Sequence, residues 1–376
     1  MNILVTGGAG FIGTHLVHRL LREGCAVAVL DNFNTQVHGR RQELSPDLAD
    51  EVELFRGDVR DRDLVSRALM NRDVVVHLAA ETGTGQSMYE VLHYQDVNIG
   101  GTAAIIESLV NSRTCRIQNI VVASSRAIYG EGRYRCAEHG TVYPGPRQLD
   151  RLKAGEFELH CPICMTACVV EATNEDSPAR PLSFYGLTKQ VQEEMVLMFA
   201  RARGFSAQAL RYQNVYGPGQ SLCNPYTGIL AIFSNLARSD SPIQIFEDGQ
   251  ESRDFVYVED AVEATWRCIS GAAGDVVDSF NVGTGKRTCV LQVAKEIVEF
   301  LGSSAKISIT GMFRQGDIRH NFADLTKSHK MLGFTAQTHF QEGLRRFLAW
   351  AGLEEHSPAR YELSLQEMRE RGVLHE

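Results

Sequence analysis

A chain of 376 residues is long enough for two domains and a large core. Its 44% hydrophobic and 22% charged residues lie near globular averages, which excludes a disordered or fibrous chain, and no apolar run approaches the ~18 residues of a spanning helix. The formal net charge of −8, from 38 basic and 46 acidic residues, argues against nucleic acid and membrane as partners, while leaving room for a few arginines in one anion pocket.

In chain order, the first half alternates short β-branched runs with amphipathic helical stretches. Strands are predicted at residues 2–6, 26–31, 52–56, 74–78 and 120–124, with helices at 11–22, 61–70 and 98–111 between them. This alternation implies an α/β fold, a doubly wound parallel sheet covered on both faces. The pattern breaks after Gly130. Residues 131–182 are rich in Gly, Pro, Arg, Cys and Glu, and read as an insertion with its own organising principle, because a structureless loop of that length is improbable in a compact domain. A long helix is predicted from Ser183 to about Arg203, stopped by Gly204, and a strand at 207–212. The remainder mixes short strands (244–246, 280–282, 306–310) with helices (228–238, 258–270, 290–301, 326–332, 340–352), a smaller α+β region. The division expected is 1–210 for the sheet domain, 211–355 mainly for a substrate domain, with segments such as 244–265 returning to the sheet, and 356–376 for a charged, helical tail. Residues 2–6 already read as a buried strand, which leaves no room for a signal peptide and makes the cytoplasm the expected compartment. The cysteine count of nine is odd and unevenly spaced, so reduced thiols are expected rather than a disulfide framework.

Residues 5–13 read Val5-Thr-Gly-Gly-Ala-Gly-Phe-Ile-Gly13, between a strand and a helix. Small residues here let a pyrophosphate approach the backbone, and the helix N-terminus supplies N–H groups and the positive end of its dipole. Asp31 ends the second strand, 18 residues beyond Gly13, where a carboxylate accepts from ribose hydroxyls and repels a 2′-phosphate. NAD is therefore expected, on a Rossmann sheet. Asp58 follows the third strand, and either accepts from the adenine amino group or caps the helix at 61–70. His77 ends the fourth strand and is assigned no chemistry.

Tyr185 and Lys189 stand at i and i+4 on the long helix, one turn apart on one face. A phenol has a pKa near 10 and is a poor base at neutral pH; a neighbouring ammonium and a charged nicotinamide both favour the phenolate. Ser124 and Ser125 end the fifth strand, where a hydroxyl is placed to hold the reacting oxygen.

Glycine fingerprint, Asp31, Ser125 and Tyr185/Lys189, in this order, resemble the extended short-chain dehydrogenase/reductases, in their nucleotide-sugar epimerase/dehydratase branch, over roughly residues 1–352 apart from the insertion. The resemblance implies a catalytic triad of Ser125, Tyr185 and Lys189, with Lys189 also holding the nicotinamide ribose. It implies an NAD site formed by Gly7, Gly10, Phe11, Ile12, Gly13, Asp31, Asn32, Asp58, Val59, Leu78, Ala79, Ala80, Tyr185 and Lys189. It also implies that Asn214, in Leu210-Arg-Tyr-Gln-Asn-Val-Tyr-Gly-Pro218, contacts the substrate diphosphate, and that Arg253 and Arg314 clamp it. Each arginine alternatively pairs with Asp254 or Asp317. Dehydratases of this branch carry Asp-Glu after the serine; this chain has Arg126-Ala127, which disfavours water elimination and leaves redox-neutral 4-epimerisation.

The segments 77–88 and 129–140, together with Cys161-Pro-x-Cys164, resemble dTDP-L-rhamnose 4-epimerases, which make dTDP-6-deoxy-L-talose. On that resemblance Thr84, Gln86 and Arg126 face the sugar; alternatively the 82–88 loop points to solvent. The rival functions are a UDP-hexose 4-epimerase, a nucleotide-keto-sugar reductase and a non-catalytic NAD-binding protein. A homodimer is implied, with helices 98–111 and 183–203 in a four-helix bundle and Leu187, Val191, Met195 and Phe199 as an apolar stripe, unless that stripe faces the chain's own core.

Within the insertion, Cys136-x-x-His139 is followed after 21 residues by Cys161-x-x-Cys164. Two short chelating pairs joined by a loop have the spacing of a structural zinc site. Met165 stands where glycine usually follows such a pair, and Cys168 is a competing thiolate, so free thiols in a flexible loop are the alternative.

Overall fold

A computed structural model describes residues 1–39, 41–112, 115–222, 224–226, 228–354 and 359–375. Strands β1 (Asn2–Thr6), β2 (Ala26–Asp31), β3 (Glu53–Arg56), β4 (Val74–His77), β5 (Asn119–Ser125), β6 (Ser206–Tyr212) and β7 (Val277–Val282) form one sheet in the order β7-β6-β5-β4-β1-β2-β3. Every neighbouring pair is parallel. Alternate residues enter opposite layers: Ile3, Val5, Val74 and Val76 join one buried cluster, Leu4 and Val75 the other. Both faces are thus apolar, as strands covered on both sides require.

Helix α1 (Phe11–Arg22) packs with α6 (Val258–Ile269) on one face. Helices α2 (Arg62–Ala68), α3 (Gly101–Asn111) and α4 (Phe184–Arg203) cover the other. Ser183 caps α4 by accepting from the Gly186 N–H, and Gly204 ends it in the left-handed conformation. The strand order reverses between β1 and β4, so a crevice opens at their C-terminal ends.

Three differences from the sequence reading have physical reasons. The predicted helix at 98–111 is preceded by a π-helical turn, Gln95–Gly100. That turn aims Asn98 at the next connection, where its amide accepts from Glu81 N, donates to Glu81 O and donates to Thr188 Oγ1 of α4. The seventh strand begins at Val277 rather than 280, because Val277–Val282 pairs with β6 along its whole length. The stretch 244–265, expected to return to the sheet, supplies α6 to its surface and no strand to it.

The insertion is ordered. Tyr134–Cys136, Gly140–Val142 and Val169–Val170 form a three-stranded antiparallel sheet over a small cluster of Tyr134, Cys136, Val142, Leu159, Cys161 and Cys168. Elsewhere the second half is built from short pairings. Asn214–Tyr216 lies parallel to Phe255–Tyr257, and Ile243–Ile245 to Ile307–Ile309. Around them lie α5 (Ile229–Arg238), α7 (Val290–Leu301), α8 (Thr326–Leu332) and α9 (Phe340–Ala351). The charged tail forms α10 (Ala359–Glu370), and Leu374–His375 then pairs with Phe313–Arg314. Leu365, Met368, Val373 and Leu374 bury themselves on Met312.

Candidate active site

The glycine-rich turn is shaped by close backbone approach. A Cβ on Gly13 would stand 2.3 Å from the Gly7 carbonyl oxygen, and one on Gly7 2.7 Å from Ala79 N. Gly7 also takes a φ of +69°, a conformation that favours glycine. Helix α1 makes its first bond from Thr14 N to Gly10 O, which leaves the N–H groups of its opening turn at Phe11, Ile12 and Gly13 free for an anion. Asp31 is buried and oriented: Oδ2 accepts from Ala9 N at 3.0 Å and Oδ1 from Phe33 N at 2.9 Å.

Asp58 does not cap α2. Asp61 does, accepting from Asp63 N and Leu64 N, because it is the residue that immediately precedes the first helical one. The Asp58 carboxylate is gripped by Arg60 through Nε and Nη2, both at 2.8 Å, which holds it below the usual carboxylate range. Asn32 donates weakly to the same carboxylate at 3.4 Å.

Gly7, Gly10, Phe11, Ile12, Gly13, Asp31, Asn32 and Asp58, with Val59, Leu78, Ala79 and Ala80, line one cleft of about 1270 Å³ that also contains Ser125, Arg126, Tyr185, Lys189, Thr84 and Asn214. A pocket for one small ligand is typically about 300–1,000 Å³, so this cleft has room for two. Three of its lining residues carry buried polar atoms without a partner among the described residues: Arg126 Nη1, Asn214 Oδ1 and the Gln213 amide. The residues present therefore fit a dinucleotide beside a polar substrate.

At the reacting end, Ser125 accepts from Ala127 N at 3.1 Å, which fixes its hydroxyl, and Tyr185 lines the same cleft. Desolvation raises the Tyr185 phenol, while the Ser125 hydroxyl and the Arg126 guanidinium pull it back. Burial pushes Lys189 itself down to about 7, with Glu193 opposing, and its ammonium donates to Gln192. Arg126, pushed down to about 9 by burial and Arg253, still carries its charge at neutral pH. His77 is a core residue. It is bonded to Thr6, Thr102 and Gln192, and burial drives its pKa down to about 3.

Helix α4 is bolted to the sheet one turn beyond Lys189. Glu193 receives Arg211 of β6 through Nη2 at 2.6 Å and Nε at 3.2 Å, and accepts from Ser124 of β5. Arg211 Nη1 donates to Tyr129 Oη and to Glu175 O, both at 2.9 Å.

Some expected substrate residues stand elsewhere. Arg253 and Arg314 do not line the cleft. Arg314 donates to Asp317 Oδ2 at 3.1 and 2.8 Å, and Arg253 lies 4.0 Å from the same carboxylate. Against the upward push of burial, these two arginines hold Asp317 below its usual range. Asp254 pairs with neither; it accepts from Thr284, Gly285 and Ala323. Gln86 also stands off the cleft, its amide committed to Gln36 and Glu90 beneath the Thr84–Ser87 turn. The cleft gains Gln220, Asn224 and Tyr226, which the sequence reading missed. The usable signal was their polarity in a Gly- and Pro-rich loop just beyond the predicted substrate motif.

The model of the family described as "NAD dependent epimerase/dehydratase family" matches residues 3–147 and 164–283. The chain belongs to this family. It is an NAD-dependent nucleotide-sugar epimerase, an isomerase, and among its described residues no helix is long and apolar enough to cross a membrane. This epimerase is 36% identical over 354 residues to the dTDP-L-rhamnose 4-epimerase of Burkholderia thailandensis, covering 94% of this chain and 95% of that one. It is 32% identical to a putative UDP-glucose 4-epimerase of Methanocaldococcus jannaschii, over 93% of this chain and 97% of the other. A solved structure of MoeE5 in complex with UDP-glucuronic acid and NAD superposes with a TM-score of 0.74 at 30% identity, covering 94% of this epimerase and 99% of MoeE5.

Proposed function

We propose that this epimerase inverts C4 of a dTDP-6-deoxy-L-hexose, converting dTDP-L-rhamnose to dTDP-6-deoxy-L-talose. The observation that carries the reading is the meeting of Ser125, Tyr185 and Lys189 with the glycine turn in one cleft large enough for two ligands. The 36% identity to a dTDP-L-rhamnose 4-epimerase favours that sugar.

In this reading, NAD held in the cleft would supply a reversible hydride acceptor for C4, so that return of the hydride to the opposite face would invert that carbon. Ser125 holds the C4 hydroxyl, and Tyr185 removes its proton and later gives it back. Arg126 stabilises the phenolate electrostatically, and its unpaired Nη1 is available to the substrate. A guanidinium at 126 supplies neither acid nor base at neutral pH, so nothing there drives loss of water. The cofactor side is held by Gly7, Gly10, Gly13 and Asp31, and Lys189 orients the nicotinamide ribose. Arg314 would reach the diphosphate by exchanging its bonds to Asp317 for bonds to phosphate oxygens, and Arg253 by giving up its 4.0 Å pairing with the same carboxylate.

The test is incubation with a panel of dTDP-, UDP- and GDP-sugars, with product stereochemistry read by NMR. Expected is a C4-inverted product, kcat/KM highest for the dTDP-6-deoxy-L-hexose, and no net NADH consumed. Faster turnover of a UDP-hexose would replace the substrate, and stoichiometric NADH oxidation would make the enzyme a reductase.

We also infer a homodimer through α3 and α4. Leu187 and Met198 are 44% and 66% exposed on α4, and Val110 is 49% exposed on α3. Of the expected stripe, Val191 and Met195 are half-buried, whereas Phe199 faces the chain's own core against Phe205. Sedimentation is expected to give twice the 41.7 kDa chain mass, and Leu187→Asp with Met198→Asp to give monomer. A monomeric wild type would overturn the inference.

A further inference from the structure

The insertion lies in sequence between Ser125 and Tyr185, and at its centre the four side chains Cys136, His139, Cys161 and Cys164 converge. Their ligand atoms all lie within 4.8 Å of one another. Cys136 Sγ is 3.6 Å from His139 Nδ1 and 3.5 Å from Cys164 Sγ, and Cys161 Sγ is 3.7 Å from His139 Nδ1. A tetrahedral zinc with bonds of about 2.3 Å to sulfur and about 2.0 Å to nitrogen has edges of roughly 3.8 Å between sulfurs and roughly 3.5 Å from sulfur to nitrogen. These three separations are close to those edges and the others are no longer than 4.8 Å, whereas a disulfide would bring two sulfurs to about 2.0 Å.

The backbone supports the same reading. One chelating pair sits on the hairpin that joins Tyr134–Cys136 to Gly140–Val142, the other on a second tight turn closed by the bridge His160↔Ala167. Cys161 N donates to Thr166 O at 2.8 Å, Met165 N to Cys161 O at 3.0 Å, and Ile163 N to Cys161 Sγ at 3.5 Å. Met165, at the position where glycine was expected, takes a φ of +60°, so the turn forms in spite of its side chain. A left-handed non-glycine residue is strained and persists only where its surroundings fix it. Thr166 Oγ1 lies 3.0 Å from Cys164 Sγ, so a hydroxyl is at hand to support a thiolate. Cys168, the competing thiol, is directed at Thr166 O at 3.8 Å and is not one of the four.

We propose that Cys136, His139, Cys161 and Cys164 bind one zinc ion, through three thiolates and Nδ1, and that the ion is a structural clasp for the insertion. Binding releases three thiol protons to solvent and changes no oxidation state. None of the four residues lines the reacting cleft. The insertion's own apolar cluster is small, and half of its six buried members are cysteines. Metal ligation therefore does the ordering that a core would do elsewhere. The clasp also serves the site at a distance. Glu131 and Glu158, on either side of the first chelating pair, accept from Arg319 through its N–H and its guanidinium, and Arg319 O accepts in turn from Arg253.

The test is metal analysis of the full chain, expressed without added zinc and dialysed. About one zinc per chain is expected, and less than about a tenth of an equivalent overturns the proposal. On alkylation of the native protein, exposed Cys115 should react while Cys136, Cys161 and Cys164 are protected until a strong chelator is added. A mass 2 Da low, from a disulfide among the four, also overturns it. Exchange for cobalt(II) should give the absorption of a tetrahedral thiolate site, shifted by His139→Ala. Unlike a variant that fails to fold, that readout uses the wild-type chain. Cobalt or cadmium should restore the thermal midpoint lost on chelation, whereas failure of both ions to do so contradicts a clasp.

Discussion

Replacing Tyr185 by phenylalanine is expected to lower kcat about 10²–10⁴-fold, the usual contribution of a positioned acid–base group. The ring still fills its place on α4, and Ser125 keeps its bond from Ala127 N, so NAD and nucleotide sugar should bind nearly as in the wild type. What disappears is the phenol oxygen whose ionised form the Ser125 hydroxyl and the Arg126 guanidinium favour. The measurements are kcat by NMR of the product and binding of both ligands by calorimetry. A Tyr185→Phe enzyme within a factor of about three of wild type would remove the phenol from the reaction, and with it the acid–base reading. A second arm separates Arg126 from the merely structural. Arg126→Met should move the limb of the kcat profile that reports Tyr185 to higher pH, because burial already raises that phenol and one of the two groups opposing it is then gone.

The second large effect concerns the bolt under α4. Arg211→Met is expected to destabilise the fold by about 3–5 kcal/mol, because it strands the Glu193 carboxylate in the interior. It also leaves Tyr129 Oη and Glu175 O without their 2.9 Å donor. Adding Glu193→Met should recover a large part of that loss, since two apolar side chains replace a buried ion pair at little cost. Denaturant midpoints of both single variants and the double check the cycle. A single variant within about 0.5 kcal/mol of wild type would mean that water reaches the pair and that it holds nothing together. Because α4 carries Tyr185 and Lys189 while Ser124 precedes Ser125, the single variant should also lose kcat more than it changes KM.

The parts of this molecule that are local in sequence were legible. Asn2–Thr6 and Val74–His77 are largely apolar runs because both faces of the sheet are covered, and glycine is needed at 7 and 13 because a Cβ there would stand under 3 Å from neighbouring backbone. Tyr185 and Lys189 lie one helical turn apart, so their shared face is fixed by the helix alone. The rest depends on groups brought from afar. Arg211 and Glu193 meet only after a helix has packed on a strand. Asp317 holds Arg314 at i, i+3, a local pairing that the sequence offers as an alternative to phosphate, and also draws in Arg253 from a distant segment, which no local spacing announces. Gln86 looked like a sugar contact because it stands in a polar loop, but Gln36 takes its amide. The tail carried no readable stripe, since its apolar residues match a patch assembled from Met312, Met88 and Phe246 in other segments.

The π-helical turn at Gln95–Gly100 sets how a homologous chain is able to vary in length there. It holds one residue more than an α-helical turn would, and each residue advances a helix by about 100°. Deleting a single residue from it would restore regular winding and swing the Asn98 amide roughly a quarter of the way around the axis. The Glu81 peptide group and the Thr188 hydroxyl would then both lose their common anchor. A shorter sibling that keeps the same rim to its cleft therefore needs a different side chain, at a different position, to tie that rim to the helix that carries the phenol.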